Sequence, residues 1–234
     1  YDSETVEAIK KFQTRHGLAA DGIIGKGTIA SLNFSKKQRS EQIMANLERW
    51  KWFPRAMGNE YLIINIPDYR LTLVKNQDTI RTHKVIVGRV KRKTPVLSSK
   101  LTQAIFNPTW TVPPTILRED VIPAILKNRN YLAQTNIKLY DKNGNLVLAS
   151  NWRLSNANSY RYVQSPGTFN SLGMVKLTFP NRFSVYLHDT NHKEFFTKSE
   201  RSLSSGCVRV DNPLALPAYF LVHATYWNLE KIPE

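Results

Sequence analysis

The chain has 234 residues, 41% of them hydrophobic, enough for one large domain or for a medium domain with a small appendage. Thirty-three Lys and Arg against eighteen Asp and Glu give a net charge of +15, which suits an anionic partner. The basic residues are scattered, only Lys91-Arg92-Lys93 cluster, and no nucleic-acid-binding signature accompanies them, so an acidic polymer fits the charge as well as nucleic acid does. No run of about 18 apolar residues is present to span a membrane. There is no charged-then-apolar leader, so a signal or membrane anchor is expected only in a segment not among these residues. A single cysteine excludes an internal disulfide.

Residues 1–33 read as a compact helical unit. Ser3-Glu4 places a hydroxyl cap and an acid at a helix start, Val6, Ile9 and Phe12 form its apolar stripe, and His16-Gly17 stops it. Asp21-Gly22-Ile23-Ile24-Gly25 is a turn, and Gly27-Thr28-Ile29 opens a second short helix. The run from Val6 to Gln13, then His16-Gly17-Leu18, Asp21 to Gly25 and Thr28, resembles the small peptidoglycan-binding module of wall enzymes without its usual first helix. A helical hairpin serving only as packing is the competing reading. Ser35-Lys36-Lys37-Gln38 fits a capping box. It opens a linker helix within 34–56 whose Ile43, Leu47 and Trp50 share a face, ending before Pro54.

From Tyr61 the hydrophobic period changes from helical to alternating. Strands are expected at Tyr61–Ile66, Leu71–Val74, His83–Val87 and Thr102–Asn107, joined by tight turns as in an antiparallel β domain. After Pro113-Pro114 a helix carries Ile116, Val121, Ile125 and Leu126, and the stretch Asn128–Ser165 turns polar, with a hairpin at Lys142-Asn143-Gly144-Asn145. A polar excursion of this size between strands reads as a functional lid, here 111–166. Val175–Phe179 resumes the sheet, and a last helix carries Leu216, Phe220, His223 and Trp227.

The chemistry-bearing residues lie near the end. Phe183-Ser184-Val185-Tyr186-Leu187-His188-Asp189 alternates, with Phe183, Val185 and Leu187 to one side and Tyr186 and His188 to the other. Ser204-Ser205-Gly206-Cys207-Val208-Arg209-Val210 reads as a turn entering a strand, with Val208 and Val210 facing the core and Cys207 and Arg209 facing away. A lone cysteine is most often a small buried hydrophobe. Here, though, a histidine ends one strand and the cysteine begins another, and an imidazole within reach of a thiol is how a cysteine nucleophile is made. A cationic neighbour would move the thiol pKa towards the working pH. Arg209, about 7 Å along the same face, could favour the thiolate or hold a substrate carboxylate. His192 is the rival base but sits in the intervening loop, and His16, His83 and His223 read as structural.

His188-Asp189-Thr190 followed by Ser204-Ser205-Gly206-Cys207-Val208-Arg209-Val210 resembles the signature of the YkuD-type L,D-transpeptidases; Gly88 with Thr94-Pro95 resembles that family's early strand-turn, and Pro166-Gly167, Leu172-Gly173 and Lys176 resemble its large Gram-negative members with a capping insertion. The resemblance implies an α+β fold. In it a β-sandwich catalytic domain over 57–234 carries a capping insertion at about 111–166, and the helical module precedes it at 1–33. It implies that Cys207 attacks the amide joining meso-diaminopimelate to the terminal D-Ala of a tetrapeptide stem. His188 is then base and acid, oriented through the Asp189 region, and the N–H groups of Gly206 and Cys207 hold the oxyanion. Tyr186, Arg209, Ser204 and Ser205 would line the substrate site. Many members carry His at the position of Ser205, so that residue is given no separate role. The implied product is a 3→3 cross-link. The partners are stem peptides and glycan, carbapenems are the expected inhibitors, and no metal or organic cofactor is implied. A monomer in the periplasm of a Gram-negative bacterium is expected. A cysteine carboxypeptidase handing the acyl group to water, or a wall-binding protein without catalysis, remains open at this level. Papain-like order is excluded because the histidine precedes the cysteine.

Overall fold

The structure is a computed structural model and describes residues 1–222, so His223 and Trp227 lie outside the described residues. The chain divides into two compact units. The first takes residues 1–68, 72–82 and 197–200, and the second takes 69–71, 83–196 and, from 201, the rest of the described chain.

In the first unit, α1 (Ser3–Arg15) and α2 (Lys26–Leu32) flank the glycine-rich turn. Asp2, not Ser3, caps α1: its carboxylate accepts the Thr5 N–H at 2.8 Å, which an acid at the positive end of the helix does better than a hydroxyl. The small unit is tied together by a polar residue. Gln13 is buried, and its amide donates to Asp21 at 2.8 Å and Ile23 O at 2.9 Å while its oxygen accepts Gly22 N–H at 2.9 Å. This pins the turn to the helix where little apolar area is available. α3 (Lys36–Trp50) opens on the expected Ser35/Gln38 capping box. Its Ile43, Leu47 and Trp50 stripe is exposed. β1 (Glu60–Asn65), β2 (Arg70–Lys75) and the first half of β3 (Asp78–Gly88) follow as neighbours in a sheet.

In the second unit the chain runs from the latter half of β3 to β4 (Gln103–Phe106) and then leaves the sheet to build a sub-structure of its own. β5 (Trp110–Thr111) leads to α4 (Pro114–Ile116), one π-helical turn over Leu117–Val121, and α5 (Ile122–Lys127). α6 (Tyr131–Gln134), β6 (Ile137–Tyr140), β7 (Leu146–Val147) and β8 (Arg161–Gln164) follow. The order β5-β8-β6-β7 forms a separate four-stranded sheet, and the β6–β7 hairpin turns at Gly144 as expected. The stretch that reads as polar in sequence holds a core of its own, in which Leu132, Leu139, Trp152 and Tyr162 are almost fully buried. Its apolar residues are spaced singly among Asn and Ser. Inside that core Trp152 Nε1 donates to the Tyr162 hydroxyl at 2.6 Å, which donates to Ala157 O at 2.9 Å.

The chain returns as β9 (Val175–Thr178), β10 (Leu187–His188), β11 (Ser202–Ser204), β12 (Val208–Val210) and α7 (Ala215–Val222). The sheet order is β3-β12-β10-β9-β4, with β11 pairing β3. Two pairings depart from an antiparallel domain: β10 runs parallel to β12, and β11 parallel to β3. Parallel neighbours need a crossover of a dozen or more residues, and the polar segment between His188 and Val208 supplies it. The strand expected from Phe183 is shortened to Leu187–His188. Phe183 is exposed, and Asn181 holds a turn by accepting from Phe183 N and Val185 N.

Candidate active site

Register decides which side chains meet. β10 pairs Leu187 with Val208 and His188 with Arg209, and Val208 N–H donates to Tyr186 O at 3.1 Å. Cα partners share a face and alternate residues oppose it. Leu187 and Val208, both buried, therefore look one way with Leu177, while Tyr186, His188, Cys207 and Arg209 look the other. β9 adds Lys176, the Cα partner of His188 on its other side. The four side chains expected on the non-core face are brought together.

The thiol is partly exposed and faces the Ser184 carbonyl at 3.9 Å. The Tyr186 side chain lies close enough to the thiol to pull its pKa down. No hydrogen bond joins the Cys207 thiol to the imidazole. The Tyr186 ring packs edge-on to His188 with 5.5 Å between centroids and carries the Lys176 ammonium 4.1 Å from its own centroid.

His188 is only 5% exposed. Burial, then the charges of Arg209 and Lys176, push its pKa down to about 3, against an upward pull from the Asp189 backbone. It is a neutral imidazole at neutral pH. Its Nδ1 is buried without a hydrogen bond of full geometry, while the Asp189 backbone lies close enough to favour the protonated ring. The Asp189 carboxylate is engaged elsewhere: it accepts Met174 N–H at 2.9 Å and pairs with Lys193. Burial pushes the Cys207 thiol up, and the opposing effects of Tyr186, Lys176 and Arg209 do not reverse it. The expectation of a thiol lowered towards the working pH is corrected, because desolvation outweighs the cations. Burial likewise raises Tyr186 and lowers Arg209.

The turn that carries Cys207 is held by hydroxyls. Ser204 Oγ accepts Gly206 N–H at 3.1 Å and donates to Cys207 O at 2.6 Å, and Thr94 donates to Gly206 O at 2.8 Å while accepting Gly88 N–H at 2.8 Å. Gly206 sits at φ +120, where a side chain would be strained. Its N–H is already given to Ser204, which corrects its expected part in an oxyanion site. Ser204 is buried and braces the turn instead of lining an open surface. Ser205 Oγ accepts from Arg92 at 2.9 Å and Arg89 at 3.3 Å. His192 is exposed and bonds Glu194 at 2.9 Å, away from the thiol's partners.

The model for the YkuD L,D-transpeptidase catalytic domain matches residues 59–223. The chain belongs to the L,D-transpeptidase family. Residues 1–32 match a second model, described as "Putative peptidoglycan binding domain". A Haemophilus influenzae protein named "Putative L,D-transpeptidase" is 33% identical over 222 residues, covering 92% of this chain. The chain spans 45% of that relative's length. Among solved structures, an L,D-transpeptidase in complex with imipenem aligns at TM-score 0.39 and 13% identity, over 70% of this chain and 54% of its own. L,D-transpeptidase 1 of Mycobacterium tuberculosis aligns at 0.34 and 13%, over 70% and 56%.

Reading the transpeptidase sequence alone overlooks a basic brace. The Arg92 side chain, 12% exposed, bonds Glu119 at 2.6 Å and Asp120 at 2.5 Å as well as Ser205, so one guanidinium joins the π-helical turn of the insertion to the turn that carries Cys207. The signal available was the Lys91-Arg92-Lys93 cluster, which gave no hint of a partner thirty residues on. Lys176 was visible only as a point of family likeness. Its alternation within Val175-Lys176-Leu177 would have placed it on the face that carries His188.

Proposed function

We propose that this transpeptidase joins peptidoglycan stems by 3→3 cross-links through a thioester on Cys207. The observation that carries the reading is the parallel β10–β12 register, which sets Tyr186 beside Cys207 and His188 beside Arg209 on one face. The thiol and imidazole positions are then diagonal neighbours, about 8 Å apart at Cα by strand spacing and rise. Catalytic hydrogen bonds of this kind close in the substrate complex.

With a thiol raised by burial and a neutral imidazole, the resting pair is uncharged, and His188 acts as a general base at the moment of attack. The thiol proton passes to His188 as sulfur bonds to the carbonyl carbon of the meso-diaminopimelate–D-Ala amide. Collapse of the tetrahedral intermediate breaks the C–N bond, and the imidazolium gives its proton to the departing D-Ala amine. The side-chain amine of a second stem then attacks the thioester and loses a proton to His188, and the thiolate leaves with that proton. Arg209 and Lys176 lower the energy of the transient negative charge on sulfur. Cys207 N–H remains as a backbone donor for the oxyanion. A carbapenem offers a strained amide to the same thiol and should acylate it.

Residues 1–32, matched by the wall-binding model, bring the enzyme to glycan, and the +15 charge favours an acidic polymer. The insertion at 111–166 covers the cleft, an assignment supported by the Arg92 brace. The substrate lies outside the cytoplasmic membrane, so the protein works in the periplasm of a Gram-negative cell.

Sacculi incubated with the protein, then digested and analysed by mass spectrometry, should yield 3→3 dimers and free D-Ala. Cys207→Ala should yield neither. Trimmed stems without dimers would assign a carboxypeptidase instead, and products from Cys207→Ala would overturn the nucleophile.

A further inference from the structure

The catalytic face carries two cations that the fold itself does not use. Lys176 and Arg209 are the Cα partners of His188 on its two sides, which starts their side chains about 10 Å apart on the same face. The Lys176 ammonium stands over the Tyr186 ring, beside the thiol's neighbour. Arg209 buries its Nε with no hydrogen-bond partner, as His188 does its Nδ1. Among the described residues neither cation forms an ion pair. The carboxylate whose charge reaches Arg209 is Glu194, which is exposed and bonded to His192. Asp189, next along the chain, is engaged by Lys193 and Met174.

Two like charges beside a buried imidazole repel each other and are partly stripped of water, so they cost the folded state energy. An anion placed between them would recover that cost, because charge-assisted bonds to a carboxylate are the strong ones and a guanidinium presents a fork that matches it. The leaving residue of the proposed reaction has its carboxylate carbon two bonds from the nitrogen that departs. The geometry points to Lys176 and Arg209 as a subsite for the free α-carboxylate of the residue released from the donor, so that an amide to a terminal amino acid is selected over an internal one. This rests on the proposed role of Cys207.

The test uses Cys207→Ala, which cannot turn over, titrated by calorimetry with a tetrapeptide stem ending in free D-Ala and with the same stem as the C-terminal amide. The acid should bind about ten- to a hundredfold more tightly. Adding Lys176→Gln should cut that preference to a few-fold, weakening the acid far more than the amide, and Lys176→Arg should keep it. Equal binding of acid and amide, or equal loss of both in Lys176→Gln, overturns the subsite. The two readings fail separately. Acid preference without 3→3 dimers from sacculi leaves the subsite and removes the transpeptidase, whereas dimers without acid preference do the reverse.

Discussion

Gly173→Ala should damage both stability and the proposed catalysis, although position 173 lies in a turn fifteen residues before His188. Gly173 adopts φ +60, and a Cβ built there would lie 2.4 Å from Cγ and Oδ2 of Asp189. That carboxylate has nowhere to go: it is 4% exposed, accepts Met174 N–H at 2.9 Å and pairs with Lys193. Forcing a non-glycine residue to positive φ costs about 1–2 kcal/mol, and losing a hydrogen bond to a charged acceptor about 1.5–3 kcal/mol. The expected destabilisation is therefore about 2.5–5 kcal/mol, a large part of an ordinary folding free energy. His188 is one peptide bond from Asp189, so displacement should also slow carbapenem acylation of Cys207 by about tenfold or more, within the range general-base help supplies. Gly144→Ala separates strain from contact. It has φ +85 but nothing within 4 Å of the new Cβ, so it should cost about 1–2 kcal/mol from strain alone and leave acylation unchanged. Urea unfolding and adduct formation followed by mass spectrometry measure both. If Gly173→Ala loses no more than Gly144→Ala, the buried Asp189 contact is not what holds this turn.

The depressed pKa of His188 makes a pH prediction. Its folded value of about 3 lies below the ordinary 6.5, so the neutral form's contribution is fully present above pH 6.5 and lost as pH falls towards 3. Between those limits the wild type should lose up to about 1.4 kcal/mol per pH unit more than His188→Asn in urea titrations, and equal slopes would refute the buried neutral imidazole. For the brace, Arg92→Gln should slow acylation about two- to tenfold, the worth of an ordinary hydrogen bond lost by Ser205. Ser205→Ala added to it should change the rate little further. Full additivity of the two would show that Arg92 does not act through Ser205.

Local patterning determined a good deal of this protein. Period-two alternation placed Leu187 and Val208 inward and Tyr186, His188, Cys207 and Arg209 outward, because strand side chains alternate whatever the partner strand. Capping chemistry placed the start of α3 within a residue, since a capping box is satisfied among neighbours in the chain. The single cysteine and the histidine-first order named the candidate pair. Tertiary structure decided what depends on partners far along the chain. The parallel β10–β12 pairing sets which side chains are neighbours, and neither strand encodes its direction relative to the other. Arg92 meets Glu119, Asp120 and Ser205 only when three distant segments converge. The insertion's core is invisible to a polar average because its apolar residues come singly and are gathered only by folding. The protonation states belong here too. The same cysteine and cations read in sequence as a lowered thiol, but the thiol is raised, because desolvation is set by everything packed around a group rather than by its neighbours in the chain.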